Sequence, residues 1–244
     1  STPPQRVAMV AEPLDTAAPE INEVTGTLTM MDDSLARLET IMDTAGFESM
    51  VTNRDFDPTI LQDMVKERAR EKKIEMLRDF AREQCDVRKA ADNDEYGPEV
   101  SDLYEKARWR WRNDDEEQRN AAYDELMSKY PDAYATAMIT TERAIGAGFQ
   151  GNLEQLEEHY DTLSGNEKFA DTVTEFGVAA VPTVQSFLAR QYIENERYDD
   201  ARKVISDMQE SYPERVVLGH RRRGGGRFQT TEEAAARLLR RLPD

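Results

Sequence analysis

The sequence predicts an all-α protein made of helix-turn-helix units, preceded by an extended N-terminal arm and a long helix. Three observations carry that expectation. Apolar residues recur at helical spacing along most of the chain. From Pro98 onward, short amphipathic segments are punctuated by Gly, Asn, Asp and Pro. No stretch alternates apolar and polar residues as a half-buried strand would.

The elements follow in order. Residues 1–31 lack periodicity and carry Pro3, Pro4, Pro13 and Pro19, which interrupt helices, so they read as an extended arm. This Pro, Ala and Thr-rich start is what a removed targeting segment or an artificial junction would leave. Residues 32–97 read as a helical extension. Within it Leu35, Leu38, Ile41 and Met42 share one face ahead of Gly46, and a long helix is expected over 58–86, opened by Asp57 and Pro58. Its apolar positions Ile60, Leu61, Met64 and Val65 give way to KERAREKK, read as a solvated helix face, before Ile74, Leu77, Phe80 and Ala81 resume the stripe.

Residues 98–214 read as repeated helices at roughly 99–112, 115–129, 132–147, 151–163, 167–176, 182–194 and 198–211. VAAVPTV at 178–184 reads as a helix entrance because Pro182 is unsuited to a central strand. Residues 215–229 read as a flexible Arg/Gly loop. A C-terminal helix over 230–244 follows, for which Thr230 and Glu233 form a capping box.

The clearest unit is VPTVQSFLARQYIENERYDDARKVISDMQESYPE, residues 181–214. Leu188, Ala189 and Tyr192 lie on one face of its first helix and Ala201, Ile205 and Met208 on one face of its second, with a polar turn at Asn195 and Glu196 and a stop at Pro213. The two small alanines allow close approach of a helix pair stacked in a solenoid. These residues resemble tetratricopeptide and pentatricopeptide repeats. Ala189, Tyr192, Ala201 and Pro213 fit the tetratricopeptide register, and RYDDARKVISDM resembles the second helix of a pentatricopeptide motif. Weaker echoes stand at AAYDELM, Ala121 to Met127, and LEQLEEHYDTL, Leu153 to Leu163, which makes about three units of irregular spacing.

Function is narrowed first by charge. Thirty-two basic against 49 acidic residues give a formal net charge of −17, which repels polyanions unless cations are gathered on one face. Cys85 is the sole cysteine and His159 and His220 the sole histidines, so one chain assembles neither a disulfide framework nor a Cys/His metal site. No apolar run reaches the roughly 20 residues of a membrane span. No phosphate-binding glycine motif or nucleophile-base pair is recognisable, so no catalytic residue and no cofactor is expected. His159 reads as a helix-face residue, and Glu157 with Glu158 as ordinary acids of an acidic chain.

Two basic clusters stand out as candidate partner contacts. ARWRWR carries Trp109 and Trp111 among Arg108, Arg110 and Arg112, a combination suited to stacking and phosphate contact, although residues two apart do not share a helix face. HRRRGGGR carries Arg221, Arg222, Arg223 and Arg227, whose guanidiniums can fork onto carboxylates or phosphates.

The resemblance implies a helical scaffold that binds protein subunits of a larger complex. The pentatricopeptide family also implies single-stranded RNA binding as an alternative. Against it, the base-reading position falls on apolar Phe187, with Ser186 reached only by a one-residue shift, and about three units read too few bases for discrimination. A small pentatricopeptide-like subunit on the catalytic head of mitochondrial ATP synthases in euglenozoan protists is similar, which implies a mitochondrial accessory subunit. A periplasmic tetratricopeptide adaptor of a bacterial envelope complex is the competing scaffold.

Overall fold

A proline tolerates the first turn of a helix, where its missing N–H has no partner to lose. Helix α1 accordingly runs from Pro58 to Tyr96 in the computed structural model, which describes residues 58–108, 115–220 and 226–243. The expected arm, the helix near Leu35 and the Asp57 cap lie outside the described residues. Within 58–73, Lys66, Glu67, Arg68, Glu71 and Lys72 are exposed, and Arg70 pairs with Glu67 one turn away, so the charged run is a wet face.

The helix was expected to stop near 86, where the apolar stripe fades, but it continues for ten residues. No glycine or proline interrupts it before Gly97, which takes a left-handed φ of 84° and closes the last turn by donating its N–H to Asn93 O at 3.0 Å. The added turns carry buried Asp92, whose carboxylate accepts from the backbone N–H groups of Tyr134 at 3.0 Å and Ala135 at 2.7 Å.

Three successive helix pairs follow. The first joins α2 (Glu99–Ala107) to α3 (Glu116–Lys129). Val100, Leu103, Tyr104 and Ala107 recur every third or fourth residue and are buried. Helix α2 was expected to reach 112 but ends at Ala107, where Arg108 turns to an extended ψ of 142°. The Asp115 side chain opens α3 by accepting from Gln118 N at 3.0 Å.

The second pair joins α4 (Tyr134–Gln150) to α5 (Leu153–Ser164). Helix α4 is buried over most of its length and lacks a cap of its own, the role Asp92 fills. Gly151 ends it at φ 75°, and Asn152 caps α5 through Gln155 N at 3.2 Å. The third pair joins α6 (Ala180–Glu194) to α7 (Tyr198–Ser211), with Pro182 in the first turn of α6. Helix α6 also packs on α4 and α5. The repeat-like sequences at 121–127, 153–163 and 197–208 each fall on the second helix of a pair.

The expected helix at 167–176 is not present. Only Glu167–Phe169 form a 3-10 turn, after which the chain extends, makes a bridge between Val173 and Ala179 and reverses at Gly177 with φ 71°. A Cβ there would lie 2.5 Å from Arg78 O, so glycine is required by both conformation and contact. Thr172, Val173 and Thr174 are β-branched and buried, which suits the extended form.

The Arg/Gly loop at 215–229 is likewise corrected. Val216–His220 and Gly226–Thr230 form β1 and β2 of an antiparallel hairpin in which Val217 faces Gln229 and Gly219 faces Arg227. Burial of Val216 and Val217 against the helices supplies what isolated propensity does not, and Ala179 N donates to Val216 O at 2.9 Å. The predicted capping box closes as Thr230 Oγ1 accepts from Glu233 N at 3.3 Å while Glu233 Oε2 accepts from Thr230 N at 3.1 Å. Helix α8 then runs Thr231–Leu239, shorter than the expected 230–244. The main core gathers Phe187, Leu188, Ala189, Tyr192, Ala201, Ile205 and Met208 with Leu156, Leu163, Val217 and Leu238. A second cluster joins Cys85 to Leu103, Tyr104, Leu126, Met138 and Ile139.

Candidate functional site

Residues spaced three or four apart on a helix share a face. On α5 this aligns Glu157, Tyr160 and Asp161, and on α7 it aligns Asp200, Lys203, Val204 and Asp207. With Tyr192 of α6, these residues line a cleft of about 320 Å³. The floor is fixed by the tyrosines: Gln185 Nε2 donates to Tyr160 Oη at 3.3 Å, and Tyr192 Oη donates to Glu157 Oε1 at 2.9 Å. Arg197 holds the rim. Its Nη1 pairs with Glu157 at 2.8 Å, its Nε pairs with Asp200 at 2.7 Å, and its guanidinium lies 4.3 Å from the Tyr192 ring centre.

Arg197 occupies Glu157 and Asp200, and against Lys203 the carboxylates of Asp161 and Asp207 leave the cleft with an excess of negative charge that suits a cation. Burial, then the hydrogen bond to Glu157 and its negative charge, push the Tyr192 hydroxyl well above the ordinary phenol range, and burial raises Tyr160. Both phenols therefore stay protonated at neutral pH, Tyr192 as a donor to Glu157 and Tyr160 as an acceptor from Gln185, and both rings serve as apolar walls. The lining contains no histidine, cysteine, serine or threonine. The chemistry available is recognition of a cation, with the rings giving flat surfaces for an alkyl or guanidinium group.

A second charged group is structural. Arg108 reaches Glu175 at 2.5 Å and Glu142 at 3.4 Å, Lys89 pairs with Glu175, and Tyr104 Oη donates to Glu142 Oε1 at 3.0 Å. Burial raises the Glu142 carboxyl against the opposing pull of Arg108 and Tyr104. At Glu175, burial also works upward, but Lys89 and Arg108 together leave its carboxyl below the usual range. The group ties α1, α2, α4 and the segment before α6 into one clasp.

Of the expected partner contacts, Trp109, Trp111, Arg221, Arg222 and Arg223 lie outside the described residues. Arg227 is exposed on β2. The expected packing residues Leu188, Ala189, Tyr192, Ala201, Ile205 and Met208 are all buried in one cluster. His159 is half-buried edge-on to the Tyr123 ring at 6.1 Å, where burial lowers its pKa. The two positions considered for base reading are both occupied by the fold. Phe187 is buried against Gly148 and Phe149, and Ser186 Oγ donates to Thr183 O at 2.9 Å. Sequence reasoning missed the cleft because its acids were absorbed into the general acidity of the chain. The usable signal was the polar stripe Asp200, Lys203, Asp207 on a helix whose opposite face is apolar.

Among the described residues no group of three or more His, Cys, Asp or Glu side chains is gathered to hold a metal ion, and no helix is long and apolar enough to cross a membrane. No protein-family model, curated protein or solved structure matches this chain.

Proposed function

We propose that the protein is a non-catalytic scaffold or accessory subunit that uses paired helices of the tetratricopeptide or pentatricopeptide kind to hold a basic segment of a protein partner. The single observation that carries this reading is the carboxylate-lined cleft across α5, α6 and α7, whose tyrosines and acids suit an arginine or lysine side chain. Its charge complements a cationic peptide and repels RNA phosphates, and the burial of Phe187 and Ser186 removes the positions a base-reading repeat would use.

Lys203 stands in the cleft as a built-in reporter. Amine-reactive cross-linking of native material should join Lys203 to a Lys-rich segment of one recurring protein. Asp161→Lys with Asp207→Lys should abolish that link while leaving the helical content unchanged. Cross-links from Lys203 confined to this chain, or survival of the link in the charge-reversed variant, would overturn the reading.

A further inference from the structure

At the rim of the acidic cleft the chain already holds a guanidinium of its own. Arg197 spans two helices, pairing through Nη1 with Glu157 of α5 at 2.8 Å and through Nε with Asp200 of α7 at 2.7 Å. Its central carbon lies 4.3 Å from the centre of the Tyr192 ring. One carboxylate from each flanking helix and one tyrosine ring between them thus receive an arginine.

The same set of groups recurs further along both helices. Asp161 follows Glu157 by one turn of α5 and Asp207 follows Asp200 by two turns of α7, so each keeps the face of its predecessor. Tyr160 stands with them in the cleft wall. Burial raises the Tyr160 hydroxyl, the Gln185 amide pulls it down, and the charges of Asp207 and Asp161 raise it again. Both carboxylates therefore act on this ring as Glu157 and Asp200 act on Tyr192, where Arg197 opposes them.

Gln185 shows that the floor beneath Tyr160 is incomplete. The residue is 2% exposed. Its Nε2 donates to Tyr160 Oη at 3.3 Å, while its Oε1 is buried with no hydrogen-bond partner, an arrangement that costs free energy until a donor arrives. A donor entering the cleft as far as the Tyr160 hydroxyl comes within one amide group of that oxygen. A guanidinium brings five N–H groups in a planar fork, enough for both carboxylates and the amide, and lays a flat face on the ring. An ammonium is a compact charge with three donors and no face. Lys203 repels either cation alike, so it does not decide between them.

We propose that Asp161, Asp207, Tyr160 and Gln185 form a recognition site for an arginine side chain of the partner, in preference to lysine, on the pattern by which the chain holds Arg197. The site rests on the reading of the cleft as a receptor for a basic segment and specifies the cation it takes. Fluorescein-labelled octa-arginine, octa-lysine and octa-homoarginine carry equal charge, and homoarginine is lysine with its ammonium converted to a guanidinium. Titrated with the full chain at equal ionic strength and read by fluorescence anisotropy, both guanidinium peptides should bind about tenfold or more tighter than octa-lysine. Tyr160→Leu should reduce that preference to about twofold or less while octa-lysine still binds.

Because that variant can fail to fold, the Gln185 side-chain amide of the unsubstituted, nitrogen-labelled protein provides a second reading. Its NMR signal should shift with octa-arginine and stay in place with octa-lysine. Failure of all three peptides to bind would overturn the basic-segment reading together with this site. Equal affinity of the three would leave that reading standing and overturn the arginine site, as would a preference that survives Tyr160→Leu or a Gln185 amide signal unmoved by octa-arginine.

Discussion

Glu142 illustrates how single side chains carry unequal loads. Its carboxylate is largely buried, touches Tyr104 and Arg108, and faces Glu175, which Lys89 and Arg108 hold ionised. Burial raises the Glu142 pKa above its ordinary value, so between the ordinary and the raised value the native state binds a proton that the unfolded chain does not. Stability conferred by that proton is complete at low pH and is lost as pH rises through the raised pKa. Glu142→Gln should remove this decline, as read from denaturation midpoints across an acidic pH series; an unchanged profile would assign the dependence to another group. Gly177 is a steric counterpart. Gly177→Ala combines a left-handed φ with a Cβ forced against Arg78 O and should cost about 2 kcal/mol or more in urea denaturation.

At the scale of elements, the α6–α7 pair depends on small residues at its seam. Ala189 and Ala201 are both fully buried. Ala201→Glu would place an unpaired carboxylate there and should destabilise the protein by at least about 4 kcal/mol, abolishing cooperative unfolding and partner capture together. A second dependence crosses elements: α4 starts at Tyr134 with no side chain of its own to cap it, and Asp92 of α1 accepts from its first two N–H groups. Asp92→Ala should lower stability by about 1 to 2 kcal/mol, with faster amide exchange concentrated at Tyr134 and Ala135. Uniform exchange across the chain would contradict a local capping role. His159 on α5 meets Tyr123 on α3, so aromatic contact also links the first pair to the second.

At the scale of the molecule, the unit from Ile74 onward carries its candidate binding surface on paired helices. An acidic cleft lies on α5 and α7. A cationic peptide such as octa-arginine should therefore bind with an affinity that falls as salt rises, and Asp161→Lys with Asp207→Lys should weaken it by tenfold or more, measured by fluorescence anisotropy. Salt-independent binding would exclude the electrostatic recognition assigned to the cleft.

Helical content, the helix pairs and the α8 capping box were legible in the sequence because each depends on neighbours within about one turn: apolar spacing, a capping Asn or Asp, a glycine stop. Leu188, Ala189, Tyr192, Ala201, Ile205 and Met208 declared their buried face by periodicity alone. The hairpin, the extended run before Gly177 and the last turns of α1 were decided only when distant residues met. Val216 needed Ala179 and Val178 beside it, Gly177 needed Arg78, and Asp92 needed an uncapped helix some forty residues away. The acidic cleft belongs to the same class: its residues are ordinary surface charges in sequence and acquire meaning through convergence, which short-range pattern cannot encode.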